Sequence, residues 1–333
     1  MMTLGSFLWA RPRFSSSLEC SCTYDNNIFY LSPGDLTEYR QGLAPARFPF
    51  PSADDIDITV ISRVAAKFAN FFVLKLALTG HQFLVNQEKS YGVIRCQLEQ
   101  KAGVRGKFLF FFVWLPNYLI RYYREFNRGN YYPCRLGERV IGFDFDYDWP
   151  RVNSRLGYAL EADNYSKPFA YYNTLAHRID VRLNWHLSNN FNVTTGYNFK
   201  LAQAKGPIPD ISYLEHSIKI NVSSSPLVFN RLRVDAGYEF TPRRYTTTLL
   251  ADRYHYQRTD QVQLISVQGN YRFPDFVLFL RFELEWREVA SPYQQEIEEV
   301  KDYRAHRLTL GCRLPIKDQN RGTKSNKGKG GGR

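Results

Sequence analysis

Residues 178–187 read RIDVRLNWHL, and apolar and polar side chains alternate along the whole stretch. Successive side chains of an extended chain point to opposite faces, so a period of two separates an apolar face from a polar one. The apolar face carries Ile179, Val181, Leu183, Trp185 and Leu187, and the polar face carries Asp180, Arg182, Asn184 and His186. The stretch predicts a long β-strand with an apolar environment on one side and water on the other.

The same alternation recurs along most of the 333 residues. The segments are close to or longer than the roughly 9–11 residues that a tilted strand needs to cross a bilayer. Short turns and longer polar loops alternate between them, as in an up-and-down barrel. The predicted strands, about fourteen, are 16–24, 56–68, 72–79, 91–100, 107–123, 138–149, 155–163, 175–187, 191–203, 214–222, 231–240, 261–273, 276–289 and 304–314.

The composition excludes a bundle of membrane helices. The mean hydropathy is −0.41, and the longest apolar run, 108–115, ends at Pro116. That run is far shorter than the roughly 20 residues that a helix needs to cross a bilayer. We therefore predict an all-β fold, an antiparallel up-and-down transmembrane β-barrel. A soluble β-sandwich is the alternative, but its strands are typically only about 5–6 residues long.

The predicted barrel occupies residues 16–316, between an N-terminal segment (1–15) and a basic tail (317–333). The tail reads KDQNRGTKSNKGKGGGR, so it holds six Lys and Arg, one Asp and no apolar residue. Such a composition predicts disorder, and it supplies +5 of the net charge of +12. The first ten residues, MMTLGSFLWA, lack the charged start of a secretory signal. We expect either a longer precursor or a misassigned start codon.

Residues 24–29, which follow the predicted first strand, read YDNNIF. This stretch resembles a Tyr-Asp-Asp-Asn-x-Phe sequence found at the same place in many uncharacterised barrels. Over roughly residues 16–314 the chain resembles the bacterial outer-membrane β-barrel superfamily, including porin-like proteins. The resemblance implies a location in the bacterial outer membrane, with short periplasmic turns and longer external loops. It also implies the lipid bilayer and the barrel-assembly machinery as partners.

The polar faces of the predicted strands supply the candidate lining of the lumen. Basic and acidic residues are nearly balanced there, which predicts cross-strand ion pairs and weak charge selectivity. The candidate lining residues are Arg63, Lys75, Asp144, Asp146, Asp148, Asp180, Arg182, His186, Arg281, Glu283 and Glu285.

Three of these candidates, Asp144, Asp146 and Asp148, have the spacing of a calcium loop. Aromatic residues alternate with them and no Gly follows, so in a strand the carboxylates would point one way, about 7 Å apart. We interpret them as an acidic row that faces Arg155, with a cation or substrate site as the alternative. We expect no metal site and no cofactor.

The five cysteines show no metal-binding spacing, and most stand among apolar residues. We interpret them as small apolar side chains. If the barrel closes, the last strand lies beside the first, so Cys312 approaches Cys20 or Cys22 and a disulfide is an alternative. Cys134 is predicted to lie in a loop.

Three functions remain. The first is a porin-like channel for passive transport of small polar solutes. The second is a barrel domain that anchors or exports a surface component together with a periplasmic region. The third is an outer-membrane lipid-modifying enzyme that depends on His186. Because no catalytic or phosphate-binding motif is present, we expect no enzymatic activity and no nucleic-acid partner.

Overall fold

The computed structural model describes residues 12–68, 72–125, 129–188, 191–206, 209–224, 231–293 and 302–316. In these residues, fourteen antiparallel strands form one closed barrel in which each strand pairs with its neighbours in sequence and β1 pairs with β14. This confirms the predicted fold. The predictions for residues 1–11, for the tail at 317–333 and for a turn at 69–70 lie outside the described residues.

The strands have the length of membrane-crossing strands. All of them run for twelve residues or more, and β5 and β6 extend furthest. Their bounds are β1 Arg13–Asp25, β2 Asp55–Phe68, β3 Phe72–Phe83, β4 Tyr91–Ala102, β5 Gly106–Arg124, β6 Tyr131–Asp148, β7 Val152–Tyr165, β8 Thr174–His186, β9 Phe191–Ala204, β10 Tyr213–Ser224, β11 Leu232–Tyr245, β12 Thr259–Arg272, β13 Val277–Ala290 and β14 Tyr303–Ile316.

The outward face of the barrel is apolar, as the alternation predicts. Leu280 of β13 is 53% exposed and Ile141 of β6 is 62% exposed. Exposed apolar side chains recur on every second residue of strand after strand, a far larger apolar surface than a water-soluble monomer carries. The barrel therefore has the surface that a lipid bilayer solvates.

Strand β5 departs from this alternation, because apolar side chains occupy both of its faces. Phe110 and Phe112 point outward, whereas Leu109 and Phe111 point into the barrel, opposite Asp144 and Gly142 of β6. The ring of Phe111 fills the space above Gly142, where a side chain is missing. An aromatic ring over a glycine of the neighbouring strand is a recurrent way to support a curved sheet.

We expect Gly142→Ala to destabilise the barrel by about 1–3 kcal/mol, the usual cost of overpacking. A Cβ at this position would meet the Phe111 ring and also the Tyr158 carbonyl oxygen, at 2.8 Å. Gly80→Ala is the control, because nothing lies within 4 Å of the Cβ that it would add. The measurement is the temperature at which the folded form is lost on a detergent gel. Equal midpoints for the two variants would contradict the expectation.

The short turns and the long connections lie at opposite ends of the barrel, as predicted. Two boundaries of the predicted loops are wrong by five residues or more, however. Strand β6 begins at Tyr131 rather than at residue 138. After two register shifts, β5 and β6 go on pairing with each other beyond the ends of their other neighbours, β4 and β7. Strand β11 continues to Tyr245 rather than ending at 240. The predicted boundaries followed the apolar alternation, whereas these extensions carry polar and tyrosine side chains on both faces.

The strands that close the barrel bring two cysteines together. Cys20 of β1 stands opposite Cys312 of β14, which confirms the predicted approach, and both are free thiols. Cys22 stands opposite Leu310. The prediction that Cys134 lies in a loop is wrong, because it belongs to β6 and is completely buried.

Candidate functional site

The connection between β1 and β2, residues 26–54, contains the largest correction to the sequence analysis. We call it the mouth segment. Its position between the predicted strands 16–24 and 56–68 made it one of the longer polar loops expected from the sequence, but its apolar side chains form a buried core at the long-loop end of the barrel. Phe29, Leu31 and Phe50 are almost completely buried there. The apolar residues are irregularly spaced between Pro and Gly, so no period of two or 3.6 marked them.

A short helix, α1 (Pro33–Arg40), shapes the mouth segment. It begins where the Ser32 hydroxyl oxygen accepts a hydrogen bond from the Asp35 backbone N–H at 3.0 Å, and a proline suits the first position. It ends before Gly42, which has a φ of +69°, a conformation that glycine adopts without strain. The helix therefore has local signals at both ends although it is only eight residues long.

The core of the mouth segment packs against the inner wall of the barrel. The rings of Phe29 and Phe50 stack with their centroids 3.9 Å apart, and they lie in one cluster with Leu119 of β5. On the other side of the mouth segment, the Tyr30 hydroxyl oxygen accepts a hydrogen bond from Arg307 of β14 at 2.9 Å. The segment is thus attached to strands on both sides of the β1–β14 junction.

A buried carboxylate of α1 joins the mouth segment to β5. Asp35 is 2% exposed, and it forms ion pairs with Arg47 of the same segment and with Arg121 of β5, the latter at 3.1 Å. Arg121 is itself buried. Since a buried charge is tolerated only when it is paired, Asp35 and Arg121 depend on each other.

A buried lysine forms a second attachment. Lys89 lies in the 3₁₀ turn Gln87–Lys89 and is 1% exposed. Its ammonium group donates hydrogen bonds to the carbonyl oxygens of Leu119 (3.0 Å) and Ile120 (3.2 Å) and lies 4.9 Å from the centre of the Phe29 ring. Burial lowers the pKa of Lys89 to about 7.

We expect Lys89 to make the barrel more stable as the pH rises from about 7 to about 10. In that range the unfolded chain holds the lysine proton and the folded chain releases it, so raising the pH favours folding, by roughly a few kcal/mol at most. Below pH 7 both states hold the proton and this group adds no pH dependence. The measurement is the unfolding midpoint against pH. Lys89→Met should remove the increase of the midpoint between pH 7 and pH 10, and the exposed control Lys205→Met should retain it. If the midpoint of Lys89→Met still increases with pH as in the wild type, Lys89 is not the responsible group.

Beside the mouth segment lies a cavity of about 1020 Å³. Its wall is formed by Arg47 of the mouth segment, by β5–β11 and β13, and by parts of the connections between strands at 172, 209–211 and 251–258. Eight Lys or Arg and eight Tyr line it, against three carboxylates, Glu138, Asp163 and Asp252. The half-open space between Arg47 and the opposite wall thus has the size that small-molecule sites have.

Carboxylates behind the cavity wall neutralise much of this positive charge. Lys200 pairs with Glu161, and Arg243 pairs with Glu215 at 2.6 Å. Arg258 pairs with Asp260, also at 2.6 Å. Several guanidinium groups lie over tyrosine rings as well, such as Arg243 at 4.1 Å from the centre of Tyr213. Such pairing holds the cationic side chains in place and weakens the electric field that they exert on a permeating ion.

The structure places all eleven candidate lining residues at inward-facing positions, and their role in permeation stays a prediction. Asp146 contacts Arg155 at 2.5 Å and Lys107 at 3.2 Å, and Asp144 lies 3.5 Å from Arg155. The acidic row thus has the basic neighbour that the sequence indicated. Partners of the other candidates, Arg182 excepted, are Glu19 for Arg63, Glu99 for Lys75, Asn153 for Asp148, Arg178 for Asp180, Asn192 for His186, Glu283 for Arg281 and Arg307 for Glu285.

The candidates lie on strands β2, β3, β6, β8 and β13, whereas the half-open cavity is lined by other residues, which the sequence pattern did not single out. Arg121, Arg243 and Arg258 are examples. Arg121 follows the bulge in β5, and Arg258 stands outside the strands. In the sequence, the clustering of arginine with tyrosine near the long connections could have indicated these cavity-lining residues.

Among the described residues, no group of acidic, His and Cys side chains could hold a metal ion. No helix in the described part of the chain is long and apolar enough to cross a membrane. Histidine side chains within the described ranges contact Tyr, Asp, Thr, Asn or Phe, and none of these contacts is a hydrogen bond to a serine.

Neither a family model nor a curated protein matches the chain. Solved structures do. The outer membrane channel DcaP of Acinetobacter baumannii has a TM-score of 0.52 at 7% identity, over 92% of this chain and 97% of that one. The anion-selective porin from Comamonas acidovorans (TM-score 0.48, 8% identity) and a loop-deletion mutant of OmpT of Vibrio cholerae (0.49, 9%) each match 92% of this chain over their whole length.

At such low identities the likeness concerns the fold alone, and the DcaP match supports it. Together with the closed fourteen-stranded barrel and its apolar exterior, it defines the class: this chain has the fold of the outer-membrane β-barrel proteins.

Proposed function

We propose that the protein is a porin-like channel of a bacterial outer membrane that passes small polar solutes. The observation that carries the proposal is the combination of an ion-paired, water-compatible inner wall with an apolar exterior and a half-open cavity at the mouth. A barrel that served only as an anchor would need no such cavity.

The charge arrangement favours solutes of either sign. Inward carboxylates and guanidinium groups are joined in pairs such as Arg281 with Glu283 and Arg307 with Glu285. A strongly selective pore concentrates one sign of charge at its constriction. The eight cations of the cavity are partly neutralised from behind, so we propose at most a modest preference for anions.

Planar-bilayer recordings of the purified protein test this function. We expect discrete conductance steps in potassium chloride and a reversal potential close to zero in a salt gradient. A barrel that shows the heat-dependent gel shift of a folded barrel but produces no steps, even with the mouth segment deleted, would contradict a channel.

The lipid-modifying alternative receives no support from the geometry. His186 faces inward, away from lipid, and its Nδ1 atom lies 2.7 Å from the Asn192 side-chain oxygen. We propose no enzymatic role, and the expected result is that the wild type and His186→Gln release fatty acids from phospholipid vesicles at the same background rate.

A further inference from the structure

The lipid-facing surface differs between its two ends. Over the middle of the strands and at the short-turn end, the outward positions of the described strands carry no Asp, Glu, Lys, Arg or His. At the long-loop end, they carry a group that we call the outward basic belt. Its members are Arg139, His177, His216, Arg244, Arg304 and His306.

The belt lies at one depth. His177, His216 and His306 are each the fourth residue of their strands, counted from the long-loop end. Arg244 and Arg304 are each the second. With a rise of about 3.3 Å per residue, all five lie within about 10 Å of the strand ends.

Arg139 belongs to the same level although β6 begins higher. It stands opposite Ala162, the fourth residue from the long-loop end of β7. On its other side it stands opposite Trp114, and Arg304 stands opposite Trp286. Tryptophan marks the level where the bilayer core meets the headgroups. The belt is therefore at headgroup depth.

The belt arginines lack protein counter-charges. Within the described ranges, no carboxylate forms an ion pair with Arg139, Arg244 or Arg304. Glu288 is the outward acid at this end, and it makes no ion pair with Arg304 on the next strand. This contrasts with the inner wall, where most cations are paired. A cation on a lipid-facing surface costs roughly 2–4 kcal/mol at mid-bilayer and little near the interface.

Neighbouring members of the belt are arranged to share one anionic group. Arg244 stands opposite Leu214, so it is the diagonal neighbour of His216 on the adjacent strand. Arg304 and His306 share one face of β14, about 7 Å apart. The Nδ1 atom of His216 lies 2.7 Å from the Tyr197 hydroxyl oxygen, which fixes the ring and leaves Nε2 for another partner.

We propose that the outward basic belt binds the phosphate groups of lipid headgroups in the leaflet on the long-loop side. In an outer membrane this leaflet consists of lipopolysaccharide, which carries several phosphates. The proposal rests on the proposed membrane location. Guanidinium groups suit it because they form paired hydrogen bonds with phosphate oxygens.

The test is binding of fluorescent lipopolysaccharide to the purified barrel in non-ionic detergent. We expect Arg139→Gln/Arg244→Gln/Arg304→Gln to bind roughly a hundredfold more weakly, at about fivefold per arginine. The control, Lys101→Gln/Arg105→Gln/Arg151→Gln, removes three exposed cations at the short-turn end and should bind as the wild type does. Dephosphorylated lipopolysaccharide should bind the wild type as weakly as the belt variant binds the intact lipid.

Wild-type affinity in the belt variant, or equal binding of the dephosphorylated lipid by the wild type, overturns the proposal. If the triple variant loses the heat-dependent gel shift of a folded barrel, Arg244→Gln and Arg304→Gln are tested singly, each with a fivefold loss expected. Binding in detergent does not depend on ion flow, so a belt that fails to bind and a channel that fails to conduct are separate results.

Discussion

Deleting residues 33–51 and joining the ends with a short Gly-Ser linker is expected to raise the single-channel conductance severalfold. The deletion removes α1 and Phe50, which lie against the inner wall at the mouth, and leaves β1 and β2 intact. The cavity bounded by Arg47 would then widen towards Tyr91, which packs against the core of the mouth segment. The measurement is the size of conductance steps in a planar bilayer.

The control is a Gly-Ser sequence of the same length in place of residues 33–51. It keeps the chain length but loses the buried anchors, so we expect larger and noisier steps than in the wild type. Unchanged conductance in both variants would mean that the mouth segment does not restrict the passage.

Replacing Asp35 should release the mouth segment from the wall. Asp35→Ala leaves Arg121 buried without its carboxylate, a situation that typically costs about 3–5 kcal/mol. We expect trypsin to cleave after the exposed Arg40 roughly a hundredfold faster or more. The measurement is the rate of that cleavage in the folded, detergent-solubilised barrel.

Glu38 provides the matched control. It also pairs with Arg47, at 2.9 Å, but its side chain is 44% exposed. Exposed pairs contribute about 0–1 kcal/mol, so Glu38→Ala should change the cleavage rate little. Similar rates for Asp35→Ala and Glu38→Ala would contradict the assignment of Asp35 as the buried attachment.

The barrel itself follows from the sequence because each strand obeys one simple period. Alternation along residues 178–187 predicts which side chains face lipid, and the structure places Ile179 and Val181 outward and Asp180 and Arg182 inward. A one-residue slip would turn every apolar side chain towards water, so the register is strongly specified. The number of strands follows from the same pattern.

The mouth segment does not follow from any period. Phe29, Leu31 and Phe50 are buried because a distant strand supplies Leu119 and because Asp35 meets Arg121, 86 positions later in the chain. Such contacts depend on where the closed barrel places its inner wall. The helix had local signals at Ser32 and Gly42, yet its eight residues are too few to show a helical apolar period.

The central claim is that apolar side chains face lipid while ionic side chains face an aqueous interior. The most direct measurement places a nitroxide spin label, in a cysteine-free background, at each of residues 278–283 of the reconstituted barrel. We predict that labels at Leu278, Leu280 and Phe282 are reached by oxygen dissolved in lipid, and labels at Arg281 and Glu283 by a water-soluble nickel complex. Access of oxygen to the labels at Arg281 and Glu283 instead, or the same access of each reagent at all positions, would contradict this claim.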